Sequence, residues 1–259
     1  VIQDITLTSA QYDICWADLN LGEHVYPLRI RSHGQTYDER AALRRQVYQQ
    51  LDACGLARGQ RLEPALHDAL TLLARAPVWV DMHWLSEPGQ TEMDRAIAAR
   101  SGEHGLLARL GPAGLRLMPC RGAALLGALI DQAPAMAAAP GQSINLPKAA
   151  LAPSPSGERE SVYDTWPATS GRFRYQVRAL ETILAKPRLR GGQIVANARD
   201  RAGRRHRSRP TEWFDTEAGR WTARMQPSAD GGEYLTVTPA TRARIATQIA
   251  EMLEAVSPR

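Results

Sequence analysis

The spacing of apolar residues changes character along the chain. Over residues 8–73 it is helical. Tyr12, Cys15, Trp16 and Leu19 fall on one face behind Thr8-Ser9-Ala10-Gln11, which reads as a capping box, and Gly22 supplies a stop. A second box, Thr36-Tyr37-Asp38-Glu39, precedes Leu43, Val47, Leu51 and Cys54 and is closed by Gly55. A third helix follows Pro64, with Leu66, Leu70 and Leu73 facing one way. Then the period drops to two. Val78, Val80, Met82 and Trp84 share one side of a strand over 78–85. Short strands at about 95–100, 106–110 and 115–118 follow, joined by turns such as SGEHG and GPAG, which predicts an antiparallel meander. Pro119 is expected to end it and to lead into an apolar helix over 123–130.

Residues 134–170 hold six of the 17 prolines and read as a connector with little regular structure. Residues 173–184 look helical. Strands are then predicted at 193–199, 207–215, 220–225 and 233–238, with Pro239 opening a helix. That helix places Ile245, Ile249, Met252, Leu253 and Val256 on one face and Arg242, Gln248 and Glu251 outside.

The two strand blocks align. Ala108-Arg109-Leu110-Gly111-Pro112 matches Ala223-Arg224-Met225-Gln226-Pro227 at an offset of 115 (223 − 108), and Leu115–Pro119 matches Leu235–Pro239 at 120 (235 − 115). Each block ends in a strand, a proline and an amphipathic helix, the pattern of an internal duplication. The predicted organisation is one domain over 1–259, with a first half at 1–133, a connector at 134–170 and a second half at 171–259.

Composition changes this picture little. The 44% hydrophobic content supports a core, and no apolar run reaches the ~20 residues of a membrane helix. No signal peptide is visible at the start. Three cysteines, odd in number and far apart, fit free thiols in a reducing cytosol. The net charge of +5 points toward an acidic partner, but all cations except Lys148 and Lys186 are arginine. With alanine also abundant, GC-rich coding accounts for much of that. The run RRHRSRP, 204–210, therefore admits two readings: the solvated arm of a hairpin, or a basic binding loop with Trp213, Phe214 and Trp221 available for stacking.

No catalytic constellation stands out. The six histidines have no metal-ligand spacing, and no GxSxG, P-loop or GxGxxG occurs. No metal or cofactor is expected.

Four stretches carry a resemblance that covers nearly the whole chain outside the proline-rich middle. They are ITLTSAQYDICWADLNLG, VWVDMHWLSEPGQTEMDRAIAAR, RGGQIVANARDRAGRRHRS and WFDTEAGRWTARMQPSADGGEYLTVTPATRARIATQI. In this order they resemble the EspG family, cytosolic chaperones of actinobacterial type VII (ESX) secretion. The last, with its Asp-Thr, Gly-Arg and Pro-Ala-Thr, is the most specific. The resemblance implies an α/β (α+β) fold: a central antiparallel sheet with two helical bundles and quasi-two-fold symmetry. It implies a cytoplasmic, non-enzymatic chaperone that binds the helical tip of the PPE subunit in PE–PPE heterodimers, as a monomer or weak dimer. It also implies a contact surface of the first hairpin loop (Glu87, Pro88, Gly89, Gln90, Thr91, Glu92, Met93), the sheet residues Arg209 and Trp213, and the last helix (Thr241, Arg244, Ile245, Gln248). The loop and that helix are expected to form opposite walls of one clamp. The alternative from another class is a nucleic-acid-binding regulator using the arginine-rich hairpin 199–209.

Overall fold

Both capping boxes form. The computed structural model describes residues 4–151, 170–228 and 231–257. Strand β1 (Ile5–Leu7) leads into α1 (Ser9–Asp18), where Thr8 accepts from the Gln11 N–H and the Gln11 side chain accepts from the Thr8 N–H at 2.9 Å. Thr36 and Glu39 do the same for α2 (Tyr37–Ala53). A small hairpin not legible in the sequence, β2 (Ala57–Arg58) and β3 (Arg61–Leu62), separates α2 from α3 (Pro64–Arg75).

The first meander is β4 (Val78–Leu85), β5 (Asp94–Ser101), β6 (His104–Gly111) and β7 (Gly114–Arg121), followed by α4 (Gly122–Ile130). Pro119 does not end β7. Edge strand β1 pairs only with Leu115–Leu117, so the missing N–H of Pro119 falls on the open edge of the ladder.

The proline-rich connector contains more structure than expected. Within it lie β8 (Ile144–Pro147) and a 3₁₀ turn (Lys148–Leu151), before α5 (Ser170–Leu184). β8 is the outermost strand of the second half, because alternating Ile144 and Leu146 have a sheet edge to pack on. The remainder of the predicted connector, 152–169, lies outside the described residues.

The second meander is β9 (Arg190–Arg199), β10 (Arg205–Arg207), β11 (Thr211–Thr216), β12 (Gly219–Pro227) and β13 (Glu233–Pro239), followed by α6 (Arg242–Val256). The single strand expected at 207–215 is broken. Arg207 pairs with Asn197 and Thr211 with Ile194, so Ser208, Arg209 and Pro210 face only Val195 and Ala196. This is a one-residue bulge, and it accommodates Pro210. Pro239 ends β13 rather than opening the helix; Thr241 is the cap of α6 and accepts from the Arg244 N–H at 3.1 Å.

Among the described residues all strands but β2 and β3 form one 11-stranded antiparallel sheet in the order β1-β7-β6-β5-β4-β9-β11-β12-β13-β8, with β10 on β9. The halves meet where β4 pairs with β9 along Val78↔Ala198 to Leu85↔Gly191. Gly192 permits that approach, since a Cβ there would come within 2.6 Å of the Trp84 Cβ. Register repeats between halves. Leu110↔Leu115 and Leu117↔Ile5 in the first correspond to Met225↔Leu235 and Val237↔Ile144 in the second, the offsets read from sequence.

Helices follow the same symmetry. One face of the sheet carries α1–α3 over the first half, on Trp79, Ile97, Leu106 and Leu117, and α5 over the second, on Phe214, Trp221 and Val237. The other face carries α4 and α6 side by side over the junction, on Val80, Met82, Trp84, Ile194 and Trp213. Between α1–α3 and α5 the middle of the first face is left as a trough.

Candidate partner-docking surface

The trough floor follows from strand alternation. Asp81, His83 and Leu85 of β4 point into it, opposite the side taken by Met82 and Trp84. Register lines up Arg95, His83, Gln193 and Glu212 as one rung across β5, β4, β9 and β11. Its walls are connections. On one side the α1–α2 link brings Tyr26 against His83, with ring centroids 5.9 Å apart. On the other the α5–β9 link lays Arg188 over the Phe214 ring at 5.0 Å and ties the Leu189 N–H to the Asp215 carbonyl at 2.9 Å.

The floor is polar at its centre. Asp81 is 1% exposed; one carboxylate oxygen accepts from Asn197 at 2.7 Å, and the other lies 3.8 Å from Arg207 without a hydrogen bond. Burial pushes its pKa up to about 6 against those two favourable contacts. Burial, and then the charge of Arg207, hold the His83 ring below the ordinary histidine range, so it is neutral at pH 7.

The loop between β4 and β5 closes one end of the trough. Its geometry is set by Gln90, whose Oε1 accepts from the Ser86 and Glu87 N–H groups at 2.7 and 3.3 Å and whose Nε2 donates to the Glu92 carbonyl. Ser86 bridges the Trp84 indole N–H (2.9 Å) and the Asp94 carboxylate (2.8 Å). Burial raises the Asp94 pKa, but the hydrogen bonds from Ser86, Arg109 and Gln90 outweigh it and hold the carboxyl below its usual range. Glu87, Pro88, Gly89, Thr91 and Glu92 are exposed, and Met93 is 50% exposed. Met93 and His83 line both of two adjoining cavities. One, of about 500 Å³, also has Tyr26, Pro27, Arg29, Glu92 and Arg95. The other, of about 380 Å³, has Leu85, Pro88, Leu189 and Phe214 among its lining.

The residues expected to form one surface are divided. The loop and the trough lie together. Thr241, Arg244 and Gln248 line a groove of about 550 Å³ on the opposite face, with Thr236, Thr238 and Glu251. Three of the expected residues are buried. Trp213 (2% exposed) and Ile245 (3%) pack between the sheet and α6, and Gln248 (8%), expected outside, donates to Thr222 at 3.2 Å. The physical reason is the length of the meander. α6 enters after β13, four strands from β4, and folds over the α4 face. The wall facing the loop is therefore the α5–β9 link, not α6.

The arginine-rich run is built into the sheet. Arg204 and His206 pair with Asp200, Arg207 with Asp81, and Arg209 with Glu233 at 2.5 Å. Arg199 and Arg205 lie over Trp79 at 5.6 and 6.0 Å. These contacts fit the hairpin reading. Among the described residues no group of three or more His, Cys, Asp or Glu is placed to hold a metal ion, and no helix is long and apolar enough to cross a membrane. Cys15, Cys54 and Cys120 are free.

Tyr26, Arg95 and Arg188 were not singled out by sequence reasoning. Tyr26 and Arg188 lie in connections without periodicity. The signal that existed was Asp81 and His83, polar at alternate positions of an apolar strand.

The fold is a duplicated antiparallel sheet with helices on both faces and an open trough on one of them. The sequence model of the EspG family matches residues 8–251, and the chain belongs to that family. A solved structure similar to it is that of the Mycobacterium tuberculosis type VII secretion system chaperone EspG5 in complex with a PE25–PPE41 dimer, with a TM-score of 0.67 and 18% identity over 99% of this chain and 97% of that one. No match is found among curated protein sequences.

Proposed function

We propose that this chain is a chaperone of type VII secretion that binds a PE–PPE-type heterodimer through the trough and its 87–93 loop. Acting in the cytoplasm, it shields an apolar helical tip until export, by binding alone and without a catalytic step. The observation that carries this reading is the loop: a Gln90-pinned projection that holds a half-exposed methionine over a cavity. Methionine adapts to irregular apolar surfaces, and a pinned loop loses little freedom on docking. An apolar patch above a few hundred Å² invites aggregation, so covering it is a function in itself.

The test is calorimetric titration with PE–PPE-type heterodimers from the same genome. The parent chain binds one of them. Met93→Asp keeps the parent's thermal unfolding, since the side chain is half-exposed, and weakens binding by about thirtyfold, the loss of one central anchor of ~2 kcal/mol. Unchanged affinity in the folded variant places the contact elsewhere.

A further inference from the structure

The larger cavity has a chemistry that the apolar-tip reading does not use. Arg29 enters from the α1–α2 link and Arg95 from β5, and both line the cavity together with the single carboxylate of Glu92. Arg207 reaches the same region from β10, over the Tyr26 ring at 5.5 Å. Arg95 donates one N–H to the Arg29 carbonyl at 3.1 Å, while its Nε is buried without a partner. Among the described residues Arg95 has no carboxylate partner; Arg29 is paired with exposed Glu23 at 3.0 Å. His83 Nδ1 is also buried and unbonded beside it. Beneath it, Asp81 accepts from Asn197 and lies 3.8 Å from Arg207, and Glu212 stands two strands beyond His83 on the same rung.

A buried guanidinium N–H without an acceptor is costly, and a guanidinium edge matches a carboxylate in geometry and charge. Resting on the chaperone reading above, we infer that the Arg95–His83 end of the trough is a carboxylate subsite, which takes an acidic side chain standing next to the apolar anchor on the docked helical tip. The adjoining cavity behind Met93, lined by Leu85, Pro88, Leu189 and Phe214, takes the apolar anchor. The two cavities share Met93 and His83, so one protruding segment fills both. The trough thereby reads a pair of features on its partner, an apolar residue and an acid, and rejects a tip with a basic residue in the second place.

A charge swap tests this with the full chain and the PE–PPE-type heterodimer that the parent binds. Arg95→Glu lowers affinity at least tenfold, and Arg95→Gln lowers it less, with both variants matching the parent in circular dichroism and melting. Acid-to-lysine changes scanned over the partner's tip include one that weakens binding to the parent and restores binding to Arg95→Glu. A variant that fails to fold is replaced by the partner scan alone, in which the parent must lose affinity at one acidic position. Binding by Arg95→Glu at parental affinity, or a scan with no sensitive acid, overturns the subsite while leaving the chaperone reading intact. Failure of the parent to bind any such heterodimer overturns both.

Discussion

Asp81 stands in the middle of the central strand pair, almost wholly enclosed, with one carboxylate oxygen unbonded. Its pKa is pushed up to about 6 by burial, against about 3.9 for an exposed aspartate. Between these values the folded chain holds the proton more tightly than the unfolded chain. Its contribution therefore destabilises as pH rises from about 4 to 6, and the deficit persists above that. Asp81→Asn removes it. The variant is expected to gain about 2–3 kcal/mol at neutral pH and nothing near pH 4, read as a shift of the urea midpoint at constant slope. Loss of stability at neutral pH would mean that Arg207 stabilises the charge more than burial penalises it. In VWVDMHWL the residue stands on the side of the strand opposite Val80, Met82 and Trp84, and nothing in that stretch shows that this side is covered too. Its partners were not legible there either, because Asn197 and Arg207 lie on strands more than a hundred residues later.

At the scale of elements, the turn between β11 and β12 shows what its Asp-Thr and Gly-Arg pairs do. Asp215 is fully buried and accepts two hydrogen bonds from Arg220, at 2.7 and 2.8 Å, with Arg190 at 2.9 Å from the same carboxylate. Arg220 also donates to the Pro134 carbonyl at 2.7 Å and lies over the Trp213 ring at 4.4 Å. Through its backbone it holds Ala137 and Ala139, and so fixes the connector that delivers β8 to the sheet edge. Gly219 sits at φ +128, and a Cβ there would come within 2.6 Å of the Ala139 backbone. Gly219→Ala is expected to cost about 2–4 kcal/mol, by strain and by pushing the connector off the turn. Urea unfolding checks it; a change below about 0.5 kcal/mol would show that the connector moves freely. The capping boxes and the amphipathic face of α6 were legible because their signals are local. The bulge at Ser208–Pro210 was not, since its cause is a mismatch of pairing along β9.

Across the whole molecule, the two halves share their central core. Val80, Met82 and Trp84 pack with Ile194 and Trp213, while α4 and α6 cover both sets. A fragment of residues 1–133 would leave β4 as an eight-residue open edge, and its face would lose Trp213, Ile245 and Ile249. Such edges pair with other chains. The fragment is expected to associate or precipitate, which size exclusion and light scattering detect. A monomeric, cooperatively folded fragment would show that each half is an independent unit.

The sequence by itself determined the helices and the two meanders, the duplication and its two offsets, the reach of the resemblance and the place of the β4–β5 loop. Each of these is written in local periodicity or in residue order. Tertiary structure alone decided that β8 completes the sheet and that the α6 residues lie across it from the loop. It also decided that the trough is floored by Arg95, His83, Gln193 and Glu212. Those facts depend on which strands become neighbours and on which face each helix folds over. Packing of distant segments sets both, and no short window of the chain contains it.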